Sequence, residues 1–189
     1  MARVEMRLSG FGGQGLILAA YVLGKAAAVF EERHATLNQS FGPEARGSAC
    51  SAQLVLSDEP VSYPYIQKSD VLVAMSQPAY TLFAKDTRAD GIVLIEDDLV
   101  TPDPMSKLRT FGIPATKIAE ELGRRIMANM VMVGFVTAIT GVASVESVRE
   151  SIRSSVPSGT QDRNLAAFER GLENGQAALS GRAPEEIAT

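Results

Sequence analysis

The chain has 189 residues, 46% of them hydrophobic and 21% charged, with a formal net charge of −4. That length suits one domain with a sizeable core, and the composition is close to the soluble globular average. An acidic balance without any Lys/Arg cluster gives no footing for nucleic acid, and the lone Cys50 excludes an internal disulfide or a four-thiolate iron–sulfur cluster built from this chain alone.

The N-terminus, Met1-Ala2-Arg3-Val4-Glu5, lacks the apolar stretch of a signal peptide. A first strand is predicted at residues 4–9, where Val4, Met6 and Leu8 alternate with polar residues. It runs into Gly10-Phe11-Gly12-Gly13-Gln14-Gly15 and then into a helix-like run over residues 15–30. Strand, glycine-rich turn and helix in that order match the G-x-G-x-x-G phosphate cradle. Glycines let the backbone turn tightly and approach a ligand, and the helix start then offers unpaired N–H groups to an anion. Gly12, Gly13, Gln14 and Gly15 are therefore candidate ligand-binding residues. The plainer alternative is a tight turn between strand and helix that binds nothing.

A second strand is predicted at residues 35–38. A nicotinamide-binding version of this fold needs an Asp or Glu at the end of that strand to hold the ribose hydroxyls. Asn38, Gln39 and Ser40 stand there instead, and Glu31 and Glu32 come before the strand begins. Next, Gly42-Pro43 and Gly47 bracket a loop carrying Glu44 and Arg46. Such a loop can present one carboxylate and one guanidinium in fixed positions. Pro43, Glu44, Arg46 and Gly47 are candidates for an active-site or subunit-boundary loop, with a solvated surface ion pair as the alternative.

Further strand signals fall at residues 49–56, 71–75 and 91–95, with a weaker one at 108–111, and helix-like runs lie at 77–85 and 115–122. The continuous apolar runs at 71–75 and 92–95 are those of strands covered on both faces. Residues 48–56 alternate, as if one face met solvent or another subunit. The pattern predicts an α/β fold, a Rossmann-like, mostly parallel sheet flanked by helices. Glu96-Asp97-Asp98 reads as a solvated turn or helix start, with a cation site as the alternative. A lone histidine, His34, and the absence of any H-x-x-x-H pattern give no metal site.

After residue 125 the strand signals stop. Helices are predicted at 129–140, 144–154 and 164–179, with Gly141 ending the first and Ser144 capping the second. The apolar run 126–139 contains Asn129 and Gly134 and falls short of the ~20 residues of a membrane span, so it reads as a buried helix. The expected organisation is one domain over residues 1–180, an α/β part to 125 and a helical part from 126, then a flexible tail at 181–189.

The glycine motif at 10–15, Phe41-Gly42-Pro43-Glu44-Ala45-Arg46-Gly47, and Ser57-Asp58-Glu59-Pro60 with Tyr63-Pro64 form a specific combination. Together they resemble the gamma subunit of the 2-oxoacid:acceptor (ferredoxin) oxidoreductases, the pyruvate and 2-oxoglutarate:ferredoxin oxidoreductase family. Phe111-Gly112-Ile113-Pro114-Ala115-Thr116, the segment Asn129 to Gly134, and Asn164 with Phe168 and Gly171 fit the same resemblance, to about residue 175. It implies a complex that converts a 2-oxoacid and coenzyme A to acyl-CoA and carbon dioxide. The substrate would be 2-oxoglutarate, a branched-chain 2-oxoacid, or an aryl 2-oxoacid such as phenylglyoxylate or indolepyruvate.

Thiamine pyrophosphate, magnesium and iron–sulfur clusters are implied in partner subunits, with ferredoxin or NAD as electron acceptor. This chain would help bind coenzyme A and close the active site, in the cytoplasm, with no catalytic residue and no activity of its own. The resemblance implies no nucleic acid and no membrane partner. Many relatives carry a further glycine where Ser48 stands, so the loop can differ in conformation. A stand-alone NAD(P)-binding oxidoreductase and a non-catalytic scaffold are the rival readings.

Overall fold

The computed structural model describes residues 3–40 and 49–181. Six strands, β1 (Arg3–Phe11), β2 (His34–Ser40), β3 (Ala49–Ser57), β4 (Ser69–Ala74), β5 (Thr87–Glu96) and β6 (Arg109–Ile113), form one sheet in the order β2-β3-β1-β4-β5-β6. The β1, β4, β5 and β6 strands run parallel, whereas β3 lies antiparallel to both β1 and β2. The sheet is therefore mixed, parallel on one side of β1 and antiparallel on the other. The helices are α1 (Leu16–Lys25), α2 (Gln77–Phe83), α3 (Ala115–Glu121), α4 (Ala128–Thr140), α5 (Val145–Arg153) and α6 (Gln161–Leu179).

Alternation along the strands sorts side chains onto two faces. Val71, Val73 and Leu94 join the large core beneath α1, α3, α4, α5 and α6, together with Met6 and Leu8. Their neighbours Leu72, Ala74, Val93 and Ile95 form the smaller core under α2. The continuous apolar runs of β4 and β5 thus reflect burial on both faces. The α1 and α2 helices leave adjacent parallel strands, β1 and β4, and cover opposite faces, so the β1–β4 boundary is the switch point of the sheet.

The α4 helix is buried on nearly every side, which accounts for its apolar run. It lies so close to α6 that a Cβ built on Gly171 would stand 1.8 Å from the Val131 carbonyl oxygen. Ser144 caps α5, its hydroxyl accepting from the Ser147 N–H, and Gly141 closes α4 with a left-handed φ of 59°. Among the described residues no helix is long and apolar enough to cross a membrane.

Three details depart from the sequence-based expectation. The helix predicted over 15–30 is α-helical only to Lys25 and then widens into a π turn, Ala26–Phe30. Strand β2 continues to Ser40 and lies at the sheet edge, separated from β1 by β3. The alternating β3 segment is not open on one face, since Ser51 and Val55 are buried and Gln53 accepts from the Ile66 N–H.

Candidate functional site

The glycine-rich turn stands at the carboxyl end of β1, at the switch point. Gly13 and Gly15 take φ values of 91° and 73°, which an L side chain adopts only with strain. The Gln14 side chain locks the turn: its Oε1 accepts from the Phe11 N–H at 2.6 Å, and its Nε2 donates to the Met75 carbonyl at 2.9 Å. A single amide thereby ties the end of β1 to the end of β4. The Gln14 N–H is itself directed to the Phe11 carbonyl at 3.3 Å. Of the four predicted residues, Gln14 is a buttress of the turn, and Gly12, Gly13 and Gly15 keep backbone N–H groups with no acceptor among the described residues.

Gly15 is also the N-cap of α1 and has no side-chain cap, and the first hydrogen bond of the helix is Ala19 N–H to the Gly15 carbonyl. The N–H groups of the first turn are therefore free to face an anion. A methyl group on Gly12 or Gly13 would meet nothing within 4 Å, so the space over the turn is open. Behind it, Asn129 donates from Nδ2 to the Gly15 carbonyl at 3.2 Å, while its Oδ1 accepts from the Met130 N–H. A Cβ on Gly15 would lie 2.4 Å from that Nδ2. Glycine at 15 is thus required twice, by its dihedral and by the amide beneath it.

A cavity of about 410 Å³ opens beside the turn, lined by Phe11, Gly13, Met75, Leu99, Thr116 and Ile126, among others. Arg125 lines it too, 3.8 Å from the Glu120 carboxylate. Thr116 is anchored by the fully buried Glu96, whose Oε2 accepts from the Thr116 N–H at 2.8 Å and from its hydroxyl at 2.9 Å. Glu96 supplies the cap that Pro114, at the N-cap of α3, cannot provide. Burial pushes its carboxyl above the usual carboxylate range, with the Thr116 hydrogen bonds opposing, and Oε1 is buried without a partner. The acidic triplet is therefore a helix-capping residue followed by two exposed aspartates; no cluster among the described residues could hold a metal.

His34 is exposed at the start of β2, and burial raises the thiol of the half-buried Cys50. Asn38 donates from Nδ2 to the Pro64 carbonyl and, with β3 between β2 and β1, stands in register with Gln53 and Arg7 and not beside the glycine turn. Pro43, Glu44, Arg46 and Gly47 lie outside the described residues. The sequence reading missed Asn129, Thr116 and Arg125 as neighbours of the turn. One signal was available, a lone amide inside the apolar run 126–139. Nothing local in the sequence foretold that this run would pass beneath the glycines.

A protein-family profile described as pyruvate ferredoxin/flavodoxin oxidoreductase matches residues 5–174. The chain is 47% identical over 174 residues to the 2-oxoglutarate synthase subunit KorC of Methanocaldococcus jannaschii, covering 90% of this chain and 93% of that one. It superposes with a TM-score of 0.83 on the gamma subunit of a keto/oxoacid ferredoxin oxidoreductase from Geobacter sulfurreducens, at 35% identity, covering 92% of this chain and 99% of that one. Likeness of fold extends to a 2-oxoglutarate:ferredoxin oxidoreductase from Magnetococcus marinus solved with 2-oxoglutarate, coenzyme A and succinyl-CoA, with a TM-score of 0.85 at 20% identity, covering 94% of this chain and 32% of that one. The chain belongs to the pyruvate ferredoxin/flavodoxin oxidoreductase family, as a gamma-type subunit.

Proposed function

We propose that this gamma subunit binds coenzyme A at the Gly12–Gly15 turn and closes the active site of a complex that converts 2-oxoglutarate and coenzyme A to succinyl-CoA and carbon dioxide. One observation carries the reading: the backbone N–H groups of Gly12, Gly13 and Gly15 have no acceptor among the described residues, and the space over Gly12 and Gly13 is open, at the switch point of the sheet and beside a cavity. Backbone donors and a helix start suit a pyrophosphate, and the mainly apolar cavity suits an extended thiol arm. The choice of 2-oxoglutarate over aryl and branched-chain 2-oxoacids rests on the 47% identity to a 2-oxoglutarate synthase subunit.

Thiamine pyrophosphate with its magnesium and the iron–sulfur clusters belong, on this reading, to partner subunits, where they supply decarboxylation and electron transfer to ferredoxin or NAD. The residues of this chain do not fit them. Its single cysteine cannot hold a cluster, and the described residues contain no group of metal ligands. What this chain contributes is binding and orientation: N–H groups fix the phosphates, Gln14 and Asn129 keep the turn rigid, and the exposed Phe11 and Ile126 at the rim exclude water once a partner covers them. On the same reading the loop with Pro43, Glu44, Arg46 and Gly47 belongs to the boundary with the thiamine-bearing subunit, with Arg46 serving either a pair across that boundary or the substrate channel. The cytoplasm is the compartment this implies, where a free thiol and partner clusters stay reduced.

The strand order weighs against the NAD(P) reading: β3 lies between β1 and β2, so no carboxylate at the end of β2 stands beside the glycine turn to hold a ribose. Binding of labelled coenzyme A to the assembled complex, and to the subunit alone, tests the proposal. Saturable binding that the complex loses when this subunit is left out is the expected result. Coenzyme A binding that persists undiminished without it overturns the reading.

A further inference from the structure

A second cavity, of about 230 Å³, shares Ile126 with the first among its lining residues. Leu18, Met127 and Val156 give it an apolar floor, and Arg124, Arg163 and Asn164 line it as well. Eleven arginines fall among the described residues. Seven of them pair with carboxylates, and Arg7 and Arg109 lie over the rings of Phe83 and Phe111. The two that remain, Arg124 and Arg163, both line this one cavity. Two guanidiniums with no carboxylate partner among the described residues, in a single concavity of an acidic protein, make a site of positive potential.

Its volume is below the ~300–1,000 Å³ of a site that takes a whole small molecule, so it suits one end of a longer ligand. The two cavities share Ile126, and Asn129 lines the second while holding Gly15 from below. An extended ligand can therefore run from the arginine cavity, across the start of α1, into the 410 Å³ cavity at the strand ends. The environments in turn are an apolar lining with cations, then open N–H groups, then a mainly apolar cavity. They match coenzyme A read from its nucleoside end: adenine with a 3′-phosphate, then pyrophosphate, then the pantetheine arm.

We propose that Arg124 and Arg163 bind the 3′-phosphate of coenzyme A, with the adenine on the Leu18–Met127–Val156 floor, so that this subunit discriminates coenzyme A from its 3′-dephospho form. Guanidiniums take phosphate in bidentate geometry, which lysine cannot do. The inference rests on the coenzyme A reading and assigns the direction in which the coenzyme lies.

The test is equilibrium binding of coenzyme A and of 3′-dephospho-coenzyme A to the assembled complex. Wild type is compared with Arg163→Gln, Arg163→Lys and the double variant Arg124→Gln/Arg163→Gln. Wild type is expected to prefer coenzyme A at least tenfold. The double variant should bind both forms alike, with 3′-dephospho-coenzyme A affinity unchanged, and Arg163→Lys should lie between. A variant that lowers the affinity of both forms equally has damaged the site as a whole and counts against the assignment. Equal binding of the two forms by wild type overturns it, as does a preference that survives the double substitution. If wild type binds neither form, the coenzyme A reading itself fails, which is a separate result.

Discussion

Substitution at Gly12 separates what the turn needs for folding from what it needs for a ligand. Gly12 has an ordinary φ, is exposed, and an added Cβ meets nothing within 4 Å. Gly12→Ala therefore creates neither a clash nor strain, and the smaller entropy of the unfolded chain should stabilise the fold by about 0.4–1 kcal/mol. Gly15→Ala is the opposite case. It combines a left-handed φ of 73° with a Cβ 2.4 Å from the Asn129 amide, which together should cost about 2–4 kcal/mol. For a chain of this size that is a fall in Tm of roughly 5–15 °C. If phosphates sit over the turn, the methyl of Gly12→Ala lies between them and their donors. Loss of one charge-assisted hydrogen bond, about 1.5–3 kcal/mol, raises Kd for coenzyme A by roughly 10- to 100-fold. The assay pairs thermal unfolding of the subunit with coenzyme A binding by the assembled complex. A Gly12→Ala complex that is at least as stable as wild type and binds coenzyme A with unchanged Kd refutes the ligand role of the turn.

Three further outcomes are expected. Because burial raises the Glu96 carboxyl above its unfolded value, its contribution to stability is fully present below about pH 4.5 and is lost as pH rises through the folded pKa; Glu96→Gln should flatten that part of the Tm–pH curve, and an unchanged curve refutes the assignment. Gly171→Ala sets a methyl against the Val131 backbone of α4, which cannot rotate away, so a loss of about 3 kcal/mol or more is expected as a Tm fall near 10 °C, and a fall under about 3 °C contradicts the close α4–α6 contact. Arg46→Lys should already lower turnover of the complex, since an ammonium cannot replace a bidentate guanidinium; native mass spectrometry shows whether assembly or catalysis is lost, and normal turnover returns Arg46 to a solvated ion pair.

The elements were legible because each rests on local physics: two-sided apolar runs for β4 and β5, a hydroxyl before α5, a glycine after α4. Strand direction was not legible, because hydrophobic patterning is the same whichever way a strand runs. The antiparallel β2–β3 half follows from a short connection between those strands, which no periodicity records. The glycine turn was legible as a motif, yet a motif states only that a backbone can bend. Its chemistry depends on residues 61 and 114 positions away, Met75 receiving the Gln14 amide and Asn129 filling the space under Gly15. Those contacts decide which N–H groups are spent inside the turn and which remain for a ligand. The same distance explains why the arginine cavity escaped notice. Arg124 and Arg163 are separated by all of α4 and α5, and only the close packing of α4 against α6 sets both against Leu18 of α1. The α4–α6 pair therefore brings together one wall of the arginine cavity as well as filling the core.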